Sequence, residues 1–201
     1  MEQLKNIVNY LLLKSHYWAI PGLYHGKMGI IFALYCYAEK HQDECIKDYA
    51  FELLQEIYKG LHTFLPIGME HGLTGIATGI TTLWEKNLLE GDLNDVLYDI
   101  DEKIMSYDPR RFKDFSFRNG ALGVWNYVQE RMSLNIPLTS LDSIYCEELS
   151  NQIAKQNLID IKYRKSFLDD IKSPTWNARD YLNKELGIEN GLSYFLIQEA
   201  L

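Results

Sequence analysis

The sequence predicts an all-α protein built from a repeated helical hairpin. Three observations lead to this prediction. A loop of the form Gly/Ser-x-x-His/Asn-Gly occurs four times, the helix that follows the loop repeats with it, and the apolar residues between loops recur with helical period. We expect about four hairpins in one domain over residues 1–201.

The first two loops are the clearest copies of the repeat. Residues 22–30 read GLYHGKMGI and residues 68–76 read GMEHGLTGI, at an offset of 46 residues. The same offset places residues 37–40 on residues 83–86, so the similarity extends through a helix. A third copy is SFRNGALGV at 116–124, and a degenerate fourth is GIENGLSY at 187–194, where a tyrosine replaces the last glycine.

The segments between the loops are predicted to be amphipathic outer helices. One apolar stripe consists of Leu93, Val96, Leu97, Ile100 and Ile104, and Asp92 precedes it in a position to cap the helix. Similar stripes are Tyr49, Leu53, Leu54 and Ile57 in one segment, and Leu4, Ile7, Val8, Leu11 and Leu12 in another. We expect each of these helices to be half exposed.

The segments after the loop glycines are predicted to be inner helices, because residues 30–35 and 76–84 are apolar on more than one side. Alternating inner and outer helices with a small rotation at each hairpin give an α/α toroid-like array, here an open arc or partial toroid. The last interval between loops is 25 residues longer than the first. We place an insertion there, roughly over residues 160–176, where Ser173 and Pro174 mark a break.

Composition argues against several classes of partner. A net charge of −8 offers no basic surface for a phosphate backbone, so we expect no nucleic-acid partner. The apolar stretch at residues 7–13 is too short and too interrupted for a membrane span or a signal peptide. Three widely spaced cysteines suit reduced thiols. We therefore expect a cytoplasmic protein that does not bind membranes.

The hairpin repeat, with a glycine-rich turn opening each inner helix, resembles the lanthionine synthetase C family. The resemblance rests on residues 24–30, 70–76 and 119–123, and it spans nearly the whole chain. It implies an α/α toroid. It also implies a reaction in which zinc holds a peptide cysteine as thiolate for addition to a dehydroalanine or dehydrobutyrine.

The zinc ligands that the resemblance implies are missing from the loops. The family holds zinc with one cysteine and a Cys-His-Gly turn, whereas the corresponding tripeptides here are Tyr-His-Gly at 24–26, Glu-His-Gly at 70–72, Arg-Asn-Gly at 118–120 and Glu-Asn-Gly at 189–191. We predict no cofactor. The chain would then be a pseudoenzyme of this family.

Two metal sites remain as alternatives to a purely structural use of these residues. His25 and His71, with Glu70 and Glu189, offer the donor atoms of a zinc site, although asparagine at the same position of copies three and four favours a structural role such as helix capping or packing. His41 and Cys45 are four residues apart and form a second candidate, for which a polar loop is the structural alternative.

The sequence thus predicts a non-catalytic binding or accessory module in the biosynthesis of modified, lanthipeptide-like peptides. Its ligand would be a peptide or small molecule, and the predicted ligand-binding residues are Tyr24, His25, His71, Asn119 and Asn190. The alternative is a carbohydrate-active isomerase or hydrolase with His25, Glu70 and His71 as acid and base. Because the chain finishes on an apolar helix, we also predict a homodimer or a partner protein at the ends of the arc.

Overall fold

The protein is all-helical in a computed structural model that describes residues 2–61, 64–156 and 165–200. These residues contain eight α-helices and no β-strand, so the predicted all-α class is confirmed. The helices are α1 Glu2–Lys14, α2 Lys27–His41, α3 Glu44–Gly60, α4 Leu73–Glu85, α5 Leu93–Met105, α6 Ala121–Ser133, α7 Ser143–Lys155 and α8 Leu192–Ala200.

The chain divides into two compact units. Unit 1 combines Met1–Phe64 with Phe167–Leu201, and unit 2 is Leu65–Ser166. Each unit contains two of the four predicted loops: those at 22–30 and 187–194 belong to unit 1, and those at 68–76 and 116–124 belong to unit 2. The single domain over residues 1–201 stays a prediction.

Unit 1 is organised around α2, whose residues are buried continuously from Lys27 to Ala38. This burial agrees with its apolar residues on every side. Helix α2 packs against α3 and α8, and α8 also packs against α1. The last helix of the chain thus lies against the first two, and its residues Leu192, Leu196 and Ile197 are buried there. The edge-to-face rings of Phe32 and Phe167, 5.2 Å apart, extend this core into the long connection before α8.

Unit 2 also combines continuously buried helices with helices that bury one face. Helix α4 packs against α5 and α6, and α6 packs against α7. Residues of α4 are buried without interruption from Leu73 to Thr81. Helix α5 buries four members of its predicted stripe and also Asp101, while the fifth member, Val96, is half-buried. The contrast between fully buried and one-sided helices therefore holds within each unit.

Aspartate caps begin three of the one-sided helices. The Asp92 carboxylate accepts a hydrogen bond of 2.8 Å from the Asn94 backbone N–H, which confirms the predicted cap of α5. Asp43 and Asp142 do the same at the starts of α3 and α7. Such a cap contributes about 1 kcal/mol by satisfying N–H groups that the helix leaves open.

A buried ion pair lies in the interior of unit 2. Arg131 of α6 and Asp101 of α5 have fully buried side chains, and the Arg131 guanidinium donates to the Asp101 carboxylate at 2.9 Å. The Tyr127 hydroxyl and the Ser140 hydroxyl also donate to this carboxylate, and Asn94 accepts from the guanidinium at 2.8 Å. Burial beside the Asp101 carboxylate raises the pKa of Tyr127 well above its usual range, despite the opposing charge of Arg131.

The longest stretch between two successive described α-helices separates α7 from α8. Its described part, residues 165–191, contains two short 3-10 turns, Phe167–Asp169 and Ala178–Asp180, and no α-helix. The predicted insertion over residues 160–176 falls in this connection, and its first part lies outside the described residues. The described helices include none with both the length and the apolar character needed to span a bilayer.

Candidate functional site at the glycine turns

The four predicted loops lead directly into helices in the structure. We name them turn 1 (residues 22–26), turn 2 (68–72), turn 3 (116–120) and turn 4 (187–191). Gly26, Gly72 and Gly120 are the N-cap residues of α2, α4 and α6, with extended backbone and no side-chain cap among the described residues. The residues before them, including His25 and His71, are thus not the helix caps.

Backbone carbonyls cap these helices instead. In α2, α4, α6 and α8 the first backbone N–H donates to the carbonyl seven residues earlier. The N···O distances are 2.7 Å for Lys27 to Ile20, 2.9 Å for Leu73 to Pro66, 3.0 Å for Ala121 to Asp114 and 2.8 Å for Leu192 to Glu185. The second N–H of α2, α4 and α8 follows the same rule. The turns therefore satisfy the open N–H groups of the helices from within the chain.

This close approach of the chain to itself requires glycine at the N-cap. A Cβ atom on Gly72 would lie 1.8 Å from the Pro66 carbonyl oxygen, and one on Gly26 would lie 2.2 Å from the Gly22 carbonyl oxygen. A Cβ atom on Gly120 would lie 2.3 Å from the Asp114 carbonyl oxygen, and one on Gly191 would lie 2.2 Å from the Gly187 carbonyl oxygen. Since Gly26, Gly72 and Gly120 have an extended backbone, the requirement at these positions is one of space rather than of a left-handed backbone.

The turns are joined in pairs by the same backbone hydrogen bond. In unit 2 the Glu70 N–H of turn 2 donates to the Arg118 carbonyl of turn 3 at 2.9 Å. In unit 1 the Glu189 N–H of turn 4 donates to the Tyr24 carbonyl of turn 1, also at 2.9 Å. These four residues occupy the third position of their turns, so the two pairs have the same register.

Unit 2 brings Glu70, His71 and Asn119 to one pair of turns. The Asn119 side chain donates to the Glu70 carboxylate at 2.9 Å, and the Arg118 guanidinium lies 3.8 Å from its other oxygen. Glu70 and Arg118 are both largely buried, with 17% and 23% of their side chains exposed. His71 is exposed beside them. The Glu70 carboxylate is therefore already bound by two groups of turn 3.

Unit 1 brings Tyr24, His25 and Asn190 to the other pair. Tyr24 is fully buried, and its hydroxyl donates to Asp170 at 3.3 Å. His25 is half-buried, and its carbonyl accepts a 2.8 Å hydrogen bond from the Trp18 indole. Tyr24, predicted to bind ligand, is thus part of the core of unit 1, whereas His25 reaches the surface.

Asn190 holds the long connection against turn 4. It has a left-handed backbone, with φ of 51°, and its side-chain oxygen accepts from the Thr175 N–H at 3.1 Å. The Asn190 N–H donates to the Lys172 carbonyl, and the Lys172 N–H donates to the buried Glu189 carboxylate at 2.7 Å. Asparagine suits this position because it tolerates the left-handed region and bonds nearby backbone groups.

A salt-bridged cluster at the start of α2 was missed by the sequence reasoning. The Lys27 ammonium, only 11% exposed, donates to the Glu56 carboxylate of α3 at 2.6 Å, and His16 Nδ1 lies 2.6 Å from the other Glu56 oxygen. A lysine that opens an otherwise apolar inner helix was the available signal. The cluster ties the start of α2 to α3 within unit 1.

This cluster predicts an acid-sensitive contribution to the stability of unit 1. Burial raises the pKa of Glu56, but the hydrogen bonds and charges of Lys27 and His16 outweigh it, so the net pKa lies below the usual 4.5. The contribution is therefore complete above the ordinary pKa of 4.5 and is lost as the pH falls through the lowered pKa of Glu56 in the folded protein. We expect Glu56→Gln to cost about 1 kcal/mol at pH 7 and less at pH 3, measured by urea unfolding at both pH values. A constant difference between the two pH values would contradict this assignment.

The described residues do not fit the zinc site implied by the family resemblance. Cys36 lies in the interior of α2, Cys45 is exposed near the start of α3, and Cys146 lies on α7, so none belongs to a turn. Burial raises the pKa of Cys146 to about 11, which disfavours the thiolate that zinc requires. Within the described ranges no three His, Cys, Asp or Glu side chains come together as a metal site. We therefore derive no step through zinc.

Comparison with known proteins adds no relative. The chain matches no family model, no curated protein and no solved structure. The structure thus defines the class, an all-helical protein with paired glycine turns, and the resemblance to lanthionine synthetase C stays a prediction.

Proposed function

We propose that this chain is a lanthionine synthetase C-like accessory module that binds a modified, lanthipeptide-like precursor without cyclising it. The supporting observation is the use of the turns as connectors: Glu70 of turn 2 is held by Arg118 and Asn119 of turn 3, and Glu189 is held by Lys172. These acidic groups have structural partners, which favours a scaffold over acid-base chemistry.

The backbone of the turns supports the same proposal. An active site that stabilises developing negative charge uses N–H groups aimed at the reacting atoms. Here the first N–H of α2, α4, α6 and α8 already donates to a carbonyl of its own loop. The predicted ligand-binding side chains that the turns present at the surface are His71 and Asn119 in unit 2, and exposed Asn190 and half-buried His25 in unit 1.

A toroid-like arrangement of the hairpins is part of this proposal. Two relations support it, each within one unit: α8 packs on α2 in unit 1, and α4 packs on α6 in unit 2. A homodimer or a partner protein also stays a proposal. Because Leu192, Leu196 and Ile197 of α8 are buried in unit 1, such a partner would use another surface. Light scattering of the purified chain would give the size of any assembly.

Peptide binding and peptide cyclisation can be separated in one experiment. The probe is a fluorescein-labelled peptide that carries one cysteine and one dehydroalanine, followed by polarisation for binding and by thiol titration for ring formation. We expect saturable binding while the thiol disappears no faster than in buffer. His71→Ala should weaken binding about fivefold or more, whereas Asn151→Ala, an exposed change on α7, should leave it unchanged.

Three outcomes would count against the proposal. Accelerated thiol loss, or near one zinc per chain after purification without chelator, would indicate a cyclase. Absence of any binding would exclude the module proposed. Release of reducing sugar from an oligosaccharide, lost in a Glu70→Gln, His71→Ala double variant, would instead support the carbohydrate-active alternative with His25, Glu70 and His71.

A further inference from the structure

Unit 1 contains a cavity of about 360 Å³ away from the turns. It lies between the first half of α1 and the last turns of α2 and α8, with Ala178 of the second 3-10 turn at its wall. Turn 1 is at the opposite end of α2, a helix of 15 residues and therefore about 22 Å long. The cavity is thus a separate site from the paired turns.

Aromatic rings line one part of this cavity. The rings of Tyr37 and His41, one helical turn apart on α2, lie 4.2 Å apart at an angle of 35°. Phe195 of α8 also lines the cavity, and the Trp176 ring, 5.4 Å away, supports it edge to face. A flat apolar group that enters the cavity would therefore find ring surfaces whose positions are already fixed by packing.

Polar groups without structural partners line the other part. The Gln3 side-chain nitrogen is buried and has no hydrogen-bond partner within the described chain. A buried donor left without a partner costs about 1–3 kcal/mol, so such groups are commonly satisfied by a ligand or water. The cavity is also lined by the cation Lys5, for which the described residues provide no ion pair.

An anion lines the same cavity. Glu199 of α8 forms an ion pair with Lys40, whose ammonium lies 3.7 Å from one carboxylate oxygen and also donates to the Glu199 backbone carbonyl. The pKa of Tyr37, one of the rings that line the cavity, is raised first by burial and then by the negative charges of Asp43 and Glu199. One cavity thus combines a cation, an anion, a buried amide donor and aromatic rings.

We propose that this cavity binds a small zwitterion, namely an α-amino acid with an aromatic side chain. Lys5 and the Gln3 amide would receive its carboxylate, Glu199 its ammonium group, and the rings of Tyr37, His41 and Phe195 its side chain. The volume lies near the lower end of the usual range of about 300 to 1,000 Å³ for ligand pockets, which suits a ligand of this size. The inference does not depend on the proposed peptide-binding function.

The extended connection between α7 and α8 helps to build this site. Ala178 comes from that connection, which also contributes Trp176 behind Phe195. The 3-10 turn Ala178–Asp180 packs on α1, and the rings of Tyr10 and Tyr181 meet edge to face at 5.6 Å. The extra length of the last interval therefore supplies a wall of the cavity.

The proposal is tested with L-phenylalanine as probe and with two analogues that each lack one charge. Phenylacetate has no ammonium group and phenethylamine has no carboxylate. Saturation-transfer NMR and calorimetry on the full chain should show L-phenylalanine binding with a Kd of about 0.1–1 mM, at least fivefold tighter than either analogue. Equal affinities for all three would overturn the zwitterion assignment, and no binding at 10 mM would overturn the site.

Two variants locate the binding in this cavity. Gln3→Leu removes the buried donor and Ala178→Leu narrows the cavity, so each should weaken L-phenylalanine binding about fivefold or more. Gln55→Leu, the same change at an exposed position of α3, should leave binding unchanged. Circular dichroism confirms that each variant is folded. If Ala178→Leu folds and binds L-phenylalanine like the parent chain, the ligand binds elsewhere and the proposal fails.

Discussion

Gly72→Ala is expected to destabilise unit 2 by about 3 kcal/mol or more and to lower its melting temperature by about 10–20 °C. The added Cβ would lie 1.8 Å from the Pro66 carbonyl oxygen and 2.9 Å from that of Gly68. Both contacts are with backbone, so no side-chain rotation can relieve them. Moving residue 66 away would also break the 2.9 Å hydrogen bond by which its carbonyl caps α4.

Gly60→Ala is the matched control for this change. Gly60 is the last residue of α3, and a Cβ placed there meets no atom of the described residues within 4 Å. Alanine is the better helix former, so this variant should be neutral or up to about 0.5 kcal/mol more stable. Thermal and urea unfolding of the two variants give the comparison. Equal effects would show that turn 2 does not need its N-cap glycine for reasons of space.

Much of the fold could be predicted because it follows from local periodicity. The one-sided stripes became α1, α3 and α5, and the segments apolar on several sides became α2 and α4. Asp92 was predicted as a cap because capping involves residues two or three positions apart. These features depend on neighbours along the chain, which a single sequence displays directly.

The candidate site was harder to predict because its chemistry lies in contacts between distant segments. The sequence placed His25 and His71 in equivalent loop positions, but it could not show that Glu70 is bound by Asn119 or that Tyr24 is buried. The role of glycine as the N-cap became visible only through carbonyls seven residues back. The sequence repeat located the four loops, but the contacts between loops depend on how distant segments pack and could not be predicted from it.

The buried ion pair of unit 2 illustrates a signal that sequence reasoning could have used. Asp101 follows Leu93 by eight positions and Leu97 by four, so it falls on the apolar stripe of α5. A carboxylate on such a face is almost never buried without a partner. The partner, Arg131, lies 30 residues further along the chain. Its identity depends on how α5 and α6 meet and cannot be inferred from spacing.

Asp101→Leu is expected to destabilise unit 2 by about 3–5 kcal/mol. The change leaves the Arg131 guanidinium fully buried with no carboxylate, and the interior solvates such a charge poorly. The Tyr127 and Ser140 hydroxyls would lose their shared acceptor as well. Arg131→Met should have a similar cost, because it leaves the Asp101 carboxylate buried without its cation. Urea unfolding followed by circular dichroism measures both changes.

The double variant Asp101→Leu, Arg131→Met separates the effect of losing the ion pair from the effect of leaving one buried charge without its partner. Removing both charges avoids the desolvation cost of a lone ion, so the double variant should be more stable than either single variant. The two effects should therefore be non-additive by about 2 kcal/mol or more. Lys86→Met, Asp95→Leu and their combination, at exposed positions of unit 2, provide a control in which little coupling is expected. If the effects of Asp101 and Arg131 simply add, the pair does not act as a unit and the stability of this interior must be explained by packing alone.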